Sequence, residues 1–388
     1  MTIQTDHPTL QAARALQSEL AARAAEMEEV RRLPADLAAK LAEGGLFRMI
    51  TPAAYGGLEC SPREIVDAVE AVAEANASAG WCVMIGATTA MNAAYMDPEI
   101  AKEIYNSPNT ITGGVFAPMG KAVVDGDDYV VSGRWQWGSG SANCTWLCGG
   151  SMVFEDGELR TLPSGRPDAR MMIFPAEDVD LIDTWHVMGL KGTGSGDIKV
   201  ENVRVPKGRS VSLVADKPVI EGALFKFPAF GLLSLGVAAT AMGNAKGALQ
   251  AFADLAGAKK NQGSKKTLSE RATIQSEMAR MTAQFRSARA YLHDEIEQTW
   301  EVAQTSEDIP VERRAALRMA CTHMVRTGAE ICRTCYDLGG GAALFEASDL
   351  QRRFRDSHAM TQHIVTAPAT WELTGRLLFG LPTDASMV

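Results

Sequence analysis

Asp125-Gly126-Asp127-Asp128-Tyr129-Val130-Val131-Ser132-Gly133 reads as a turn followed by a strand. Asp and Gly supply the tight bend, and the β-branched and aromatic residues after it suit a pleated, half-buried surface. Met171-Met172-Ile173-Phe174 and the run from Ile198 to Val205 repeat the signature. With the Thr, Val, Trp, Gly and Asp around them, they mark residues 110–206 as β structure in a chain that is otherwise helical. Upstream, residues 9–41 are dense in Ala, Leu, Glu and Arg, with Leu16, Leu20, Ala24, Leu37 and Leu41 at helical spacing. Gly44, Gly45, Pro52, Gly56 and Gly57 break that run and predict a loop over 50–59. Ser61-Pro62-Arg63-Glu64 then reads as an N-cap, a proline at the first helical position and a capping-box glutamate. That helix extends to about Asn76, and an apolar helical stretch covers 80–95. Downstream, helices are expected over 230–256, 268–303, 310–338 and 351–379, with a basic connection at 259–266. The order is helical, β, helical, divided as 1–110, 111–215 and 216–388.

The chain has 388 residues, too many for one small module, and is 46% hydrophobic and 22% charged, which excludes a disordered chain. Its 38 basic and 47 acidic residues leave a net charge of −9, so nothing draws it as a whole to nucleic acid or to an anionic membrane. The longest apolar stretch, 227–242, is too short and too mixed to span a bilayer. The first 17 residues lack the apolar segment of a secretory leader. Seven cysteines, an odd number in a long chain, do not suggest a disulfide scaffold. A reduced, cytoplasmic protein is the expectation.

Single motifs carry little. The six histidines are scattered, and Cys332-Arg-Thr-Cys335 lies inside a predicted helix without a second CxxC, so no metal is expected. Gly192-Thr-Gly-Ser-Gly196 precedes a strand, not a helix, and lacks the GxGxxG spacing of a dinucleotide fold. Gly339-Gly-Gly341 follows a helix and can be read as its C-cap. No GxSxG elbow is present.

In order, however, the pieces resemble the acyl-CoA dehydrogenase superfamily over nearly the whole chain. The resemblance rests on Pro52-Ala-Ala-Tyr-Gly-Gly57, Gly133-Arg-Trp-Gln-Trp-Gly-Ser-Gly-Ser141, Trp185-His-Val-Met-Gly-Leu-Lys-Gly-Thr193, and Asp337-Leu-Gly-Gly-Gly341 with Gln351-Arg-Arg-Phe-Arg-Asp356. It implies an α-helical N-domain, a central β-barrel and a C-terminal four-helix bundle, assembled as a homotetramer. It also implies flavin contacts from Trp137, Ser139, Ser141, Trp185, Lys191, Thr193 and Ser195. Gly339 and Gly340 would approach the flavin diphosphate of a neighbouring subunit.

The dehydrogenases need a carboxylate to take the α-proton of an acyl thioester. Its usual place, eight residues after the Arg-Asp pair, is Ile364 here, and a minority place it on the first bundle helix. Residues 357–371 and 223–253 contain no Asp or Glu. Losing a positioned base costs on the order of 10²–10⁴ in rate. A dehydrogenase with an atypically placed base is therefore the alternative reading. The stretch Arg355-Asp-Ser-His-Ala-Met-Thr-Gln-His363 is similar instead to the flavin-dependent monooxygenase branch. That implies the oxygenase component of a two-component system. It would take reduced flavin, FAD or FMN, from a separate NAD(P)H:flavin reductase, and with O₂ hydroxylate an aromatic or heteroaromatic small molecule through a C4a-hydroperoxyflavin. His363 and Ser139 are the catalytic candidates, and Thr88, Thr89 and His358 the substrate candidates. Members with a histidine on the substrate-facing N-domain helix differ here, because 85–91 offers only threonines.

Overall fold

The computed structural model describes residues 7–260, 263–306, 308–386 and 388. Residues 1–6 of the segment read for a leader, and 261–262 of the basic connection, lie outside the described residues. Six helices come first: α1 (Pro8–Ala22), α2 (Ala24–Val30), α3 (Ala35–Glu43), α4 (Pro62–Ala75), α5 (Ala77–Thr89) and α6 (Pro98–Ile104). Residues 9–41 are thus three helices and not one. The chain bends at Arg23 and turns at Arg31, whose φ of +52° is left-handed, and Pro34 starts α3. At α4 the expected capping box is present: Ser61 Oγ accepts the Glu64 N–H, and the Glu64 carboxylate accepts the Ser61 N–H. Asn76 ends α4 and caps α5 by accepting the Ala79 N–H at 3.0 Å.

Eight strands follow: β1 (Thr112–Asp125), β2 (Asp128–Trp135), β3 (Trp146–Glu155), β4 (Glu158–Leu159), β5 (Ala169–Pro175), β6 (Asp180–Ile182), β7 (Asp197–Pro206) and β8 (Ser210–Val211). They form one sheet in the order β6-β7-β2-β1-β3-β5-β8, with β4 on β3. All pairs are antiparallel except β1 with β3. Trp135 on β2 and Phe174 on β5 touch at 6.0 Å although two strands separate them, so the sheet curls around its own core. Trp135 is that core. Its indole lies against Gly120, Gly133 and Gly149, and its Nε1–H donates to the Gly150 carbonyl.

The last helices are α7 (Ala223–Lys226), α8 (Ala229–Ala258), α9 (Ala272–Thr305), α10 (Val311–Gly339), α11 (Asp349–Met360) and α12 (Ala369–Leu378). The expected single helix over 351–379 is broken at 361–368, where a 3₁₀ turn (Ile364–Thr366) capped by His363 intervenes and Pro368 starts the next helix. Helix α8 is buried nearly all round over its first half, Phe230 to Ala245, while Lys246, Gln250 and Asp254 expose one polar stripe of its second half. Leu20, Val69 and Met84 from the N-terminal helices share one apolar core with Met242, Leu292 and Met324 of the bundle, while the sheet keeps a separate core. Among the described residues no helix is long and apolar enough to cross a membrane.

Close approach of α8 to α4 depends on Gly243, where any Cβ would overlap the Glu70 carbonyl. Gly243→Val should therefore lower stability in denaturant titrations by about 1–3 kcal/mol. Gly257→Ala, with open space around it on the same helix, should raise it by about 0.5–1 kcal/mol.

Candidate functional site

After β2 the chain enters a turn that bends back at Trp137, a non-glycine residue held at φ +68°, and again at Gly140, at φ +71°. This turn is stitched to the segment before β7. Gly138 N–H donates to the Gly196 carbonyl at 2.9 Å, and Gly140 N–H to the Thr193 carbonyl at 2.8 Å. The stitching buries Ser139, Thr193 and Ser195 together. Ser139 Oγ and Ser195 Oγ are 2.6 Å apart, and so are Ser195 Oγ and Thr193 Oγ1.

The ends of this chain set its polarity. Trp81 Nε1–H, which can only donate, reaches Ser139 Oγ at 3.1 Å. At the other end the Leu190 carbonyl, which can only accept, takes the Thr193 Oγ1–H at 2.8 Å. Ser195 must then donate to Thr193, and Ser139 to Ser195. The Ser139 hydroxyl has committed its one proton and can offer an incoming group only a lone pair. The Leu190 carbonyl also takes the Trp185 Nε1–H at 3.0 Å, which ties the 185–193 segment into a closed loop.

His363 stands on the other side of Trp81, its ring edge-on to the indole at 5.5 Å. It caps the turn after α11, with Nδ1 accepting the Val365 N–H at 3.4 Å. Arg318 on α10 donates to the Val365 carbonyl at 3.0 Å, and Arg326 to the Thr361 and Thr366 carbonyls. Burial first, and then the Arg318 charge, hold the His363 imidazole down to about 4. It is neutral near pH 7, and because Nδ1 accepts, the ring proton sits on Nε2.

The structure therefore brings Ser139, Thr193 and His363 together around Trp81 and Ser195, and places Ser141 and Lys191 in the same two turns. Trp81 escapes sequence reasoning. Trp81 is one tryptophan in an apolar helix, and only its place against Ser139, 58 residues away, gives it meaning. Of the substrate candidates, Thr89 lines a small cavity with Asn92, Tyr105, Trp146 and Cys148. Its hydroxyl donates back to the Ile85 carbonyl, as that of buried Thr88 does to Met84. His358 is occupied within its own helix, donating to the Phe354 carbonyl at 2.9 Å and packing on the Phe354 ring. Gly339 and Gly340 lie at the end of α10, where Lys259 Nζ donates to the Gly339 carbonyl at 2.7 Å; their contacts are with Lys259, Leu255, Ala343 and Leu350, not with the Ser139 group. Ile364, the position a dehydrogenase base would take, is 77% exposed and apolar.

A flat, largely apolar ring system fits these turns. Trp137, two residues before Ser139, leaves 60% of its surface exposed, and Met188, two before Leu190, leaves 56%. Elsewhere, His7, Cys60 and Glu64, and Asp67, Glu70 and His293, each gather three potential ligand atoms within 4.8 Å. In the second group Arg63 and Arg289 already neutralise the carboxylates.

Comparison with known proteins agrees with this geometry. Residues 9–104 match the N-terminal domain of acyl-CoA dehydrogenases, and residues 235–368 the C-terminal domain. The chain is 30% identical to an indole-3-acetate monooxygenase of Pseudomonas putida over 92% of its own length and 90% of that protein. It is 28% identical to the flavin-dependent monooxygenase oxygenase subunit HsaA of Mycobacterium tuberculosis, covering 95% of each. Among solved structures, the 3-HSA hydroxylase from Rhodococcus sp. RHA1 superposes with a TM-score of 0.90 at 28% identity, over 98% of this chain and 99% of that one. With the helix–sheet–helix architecture, the empty base positions and the Ser139–His363 site, this chain belongs to the acyl-CoA dehydrogenase superfamily, in its flavin-dependent monooxygenase branch.

Proposed function

We propose that this chain is the oxygenase component of a two-component monooxygenase that hydroxylates an aromatic or heteroaromatic small molecule, using reduced flavin supplied by a separate NAD(P)H:flavin reductase. The observation that carries this reading is the pairing of a buried, polarised hydroxyl chain with a neutral histidine, His363, next to a dehydrogenase base position that holds only Ile364. The flavin, when bound, supplies the activation of O₂. Everything else falls to the protein's own groups. Trp137 and Met188 offer the flat apolar seat, Ser139 an acceptor, and Trp185, Lys191, Thr193 and Ser141 shape the turns around it. His363, with its proton on Nε2, donates to an oxygen or ring nitrogen of the substrate and orients it; general base work at Nε2 requires that proton to leave first. Thr88, Thr89 and His358 are the substrate candidates of this reading, and of the three Thr89 lines the small cavity with Asn92, Tyr105 and Trp146.

The same reading includes a homotetramer. Leu344, Phe345, Leu378 and Phe379 are exposed large apolar side chains in the C-terminal segment, which further copies of the chain would cover. Gly339 and Gly340, remote from Ser139 in their own chain's contacts, would then serve a neighbour's flavin. All seven cysteines are unpaired, in keeping with a reducing, cytoplasmic setting.

The direct test supplies reduced FAD or FMN from a reductase, isotopically labelled O₂, and indole-3-acetate or a simple phenol. Labelled oxygen in the product is expected. Bleaching of the oxidised flavoprotein by an acyl-CoA, with no label incorporated, would overturn the reading in favour of a dehydrogenase.

Two further outcomes follow from His363. His363→Ala should lower the hydroxylation rate on the order of 10²-fold with flavin still bound; His363→Asn, which keeps a donor but no base, should retain most of the rate. Because the folded imidazole titrates near 4, below its ordinary 6.5, its neutral form stabilises the fold above pH 6.5 and this contribution is lost as pH falls towards 4. A single-turnover pH profile should accordingly show no limb near 6.5 that His363→Asn removes.

A further inference from the structure

Asp356 takes no part in the chemistry above, yet it is among the most completely enclosed carboxylates of the described residues, 4% exposed in the second half of α11. One oxygen accepts the Leu190 N–H at 2.6 Å, across 166 residues of sequence. Leu190 is held at φ +53° and ψ +33°, a left-handed conformation that a side chain disfavours and that persists only where its surroundings impose it. Its neighbours are clamped to the same helix. Met188 carbonyl accepts from Arg355, and Gly189 lies so close that any Cβ would overlap the Arg355 carbonyl. From Leu190 the contacts continue without a gap, through its carbonyl to Thr193 Oγ1, Ser195 Oγ, Ser139 Oγ and Trp81 Nε1.

We propose that Asp356 is a positioning residue whose ionised carboxylate latches Leu190 in its left-handed turn, and that through the Leu190 carbonyl it fixes the place and polarity of the Thr193–Ser195–Ser139 hydroxyl chain. The catalytic consequence rests on the monooxygenase reading; the latch itself does not. The charged and titratable groups around Asp356 are Glu28 from α2, Arg352, Arg353 and Arg355 from its own helix, and Cys332 from α10. Burial is the largest influence and raises the carboxyl; the Leu190 N–H opposes it, Glu28 adds to the rise, and Arg355 and Arg352 oppose it, leaving it at about 6. The latch is thus charged above pH 6 and neutral below.

Latch and global stability move in opposite directions. A carboxyl whose folded value lies above its ordinary 3.8 contributes most to folding when protonated, and that contribution is lost as pH rises through 6. The hydrogen bond to Leu190 strengthens over the same range, because a charged acceptor holds an N–H about twice as strongly as a neutral one. Asp356→Asn, which keeps the shape without the charge, separates the two. A merely structural residue would lose both or neither.

The experiment is amide hydrogen exchange over residues 185–196 in the flavin-free protein at pH 5 and pH 8, corrected for intrinsic exchange, with thermal melts of the same samples. In the native protein, protection at pH 8 should exceed that at pH 5 by about five- to tenfold, the ratio expected for a charged against a neutral acceptor. Asp356→Asn should show the lower protection at both pH values while melting at pH 8 no lower than the native protein. Native-like protection with the native pH dependence in Asp356→Asn would overturn the latch, as would a flat profile in the native protein. This readout needs only the native protein and one isosteric variant, so a failure of Asp356→Ala to fold leaves it intact. With a hydroxylated substrate in hand, Asp356→Asn should also raise the ratio of peroxide released to product formed. If the native protein incorporates no oxygen into any probe, the monooxygenase reading falls while the exchange result stands.

Discussion

Two backbone hydrogen bonds, from Gly138 to Gly196 and from Gly140 to Thr193, join the turn after β2 to the turn before β7. Without them Ser139, Ser195 and Thr193 would be three ordinary loop residues, each free to bond water. With them, three hydroxyls are shut away and must satisfy one another, since an unpaired buried hydroxyl is costly. A row of hydroxyls can be satisfied in either direction, and the indole at one end and the carbonyl at the other choose one. That choice makes Ser139 an acceptor and gives the site a chemical handedness that no single residue carries.

The electrostatic character of the site follows from what surrounds that row. The nearest ionisable ring, His363, is kept neutral by burial and by the Arg318 charge, and the positions where relatives of different chemistry place a carboxylate hold Ile364 and the small and apolar residues of α8. Cys82 and Cys144 beside Ser139 are pushed upward by burial, Cys82 to about 12, so they too stay uncharged. Neutral groups beside Ser139 and at His363 would suit a reagent that is destroyed by stray protons and water.

Local features were legible in the sequence where a short-range rule operates. The Ser61–Glu64 capping box, the strand after Asp125–Asp128 and the apolar α8 each follow from neighbouring residues alone. The breaks within 9–41 and 351–379 were missed although Pro34 and Pro368 mark the starts of the next helices, because the helix-rich residues on either side outweighed them. The residue that caps the second break is a histidine, outside the usual Ser, Thr, Asp and Asn. The resemblance of 133–141 and 185–193 to family motifs pointed to Ser139 and Thr193, but no local rule could join them. Trp81 and the Leu190–Asp356 contact lay beyond reach for the same reason: partners 58 and 166 residues apart leave no periodic trace.

The shared apolar core of the N-terminal helices and the bundle has a kinetic consequence. Helices α4 and α8 pack along their lengths, yet the entire sheet lies between them in the chain. The helical body therefore cannot close until more than a hundred residues have been gathered, a loop whose entropy must be met before any of that core is gained. The sheet, with its own core and hairpin pairs β1–β2, β3–β4 and β6–β7, can form first. Once it has, the Val219 N–H can reach the Ala94 carbonyl where the chain leaves and re-enters the helical body. The sheet whose turns carry half of the candidate site then acts, during folding, as the clasp that shortens the loop between the helices carrying the other half.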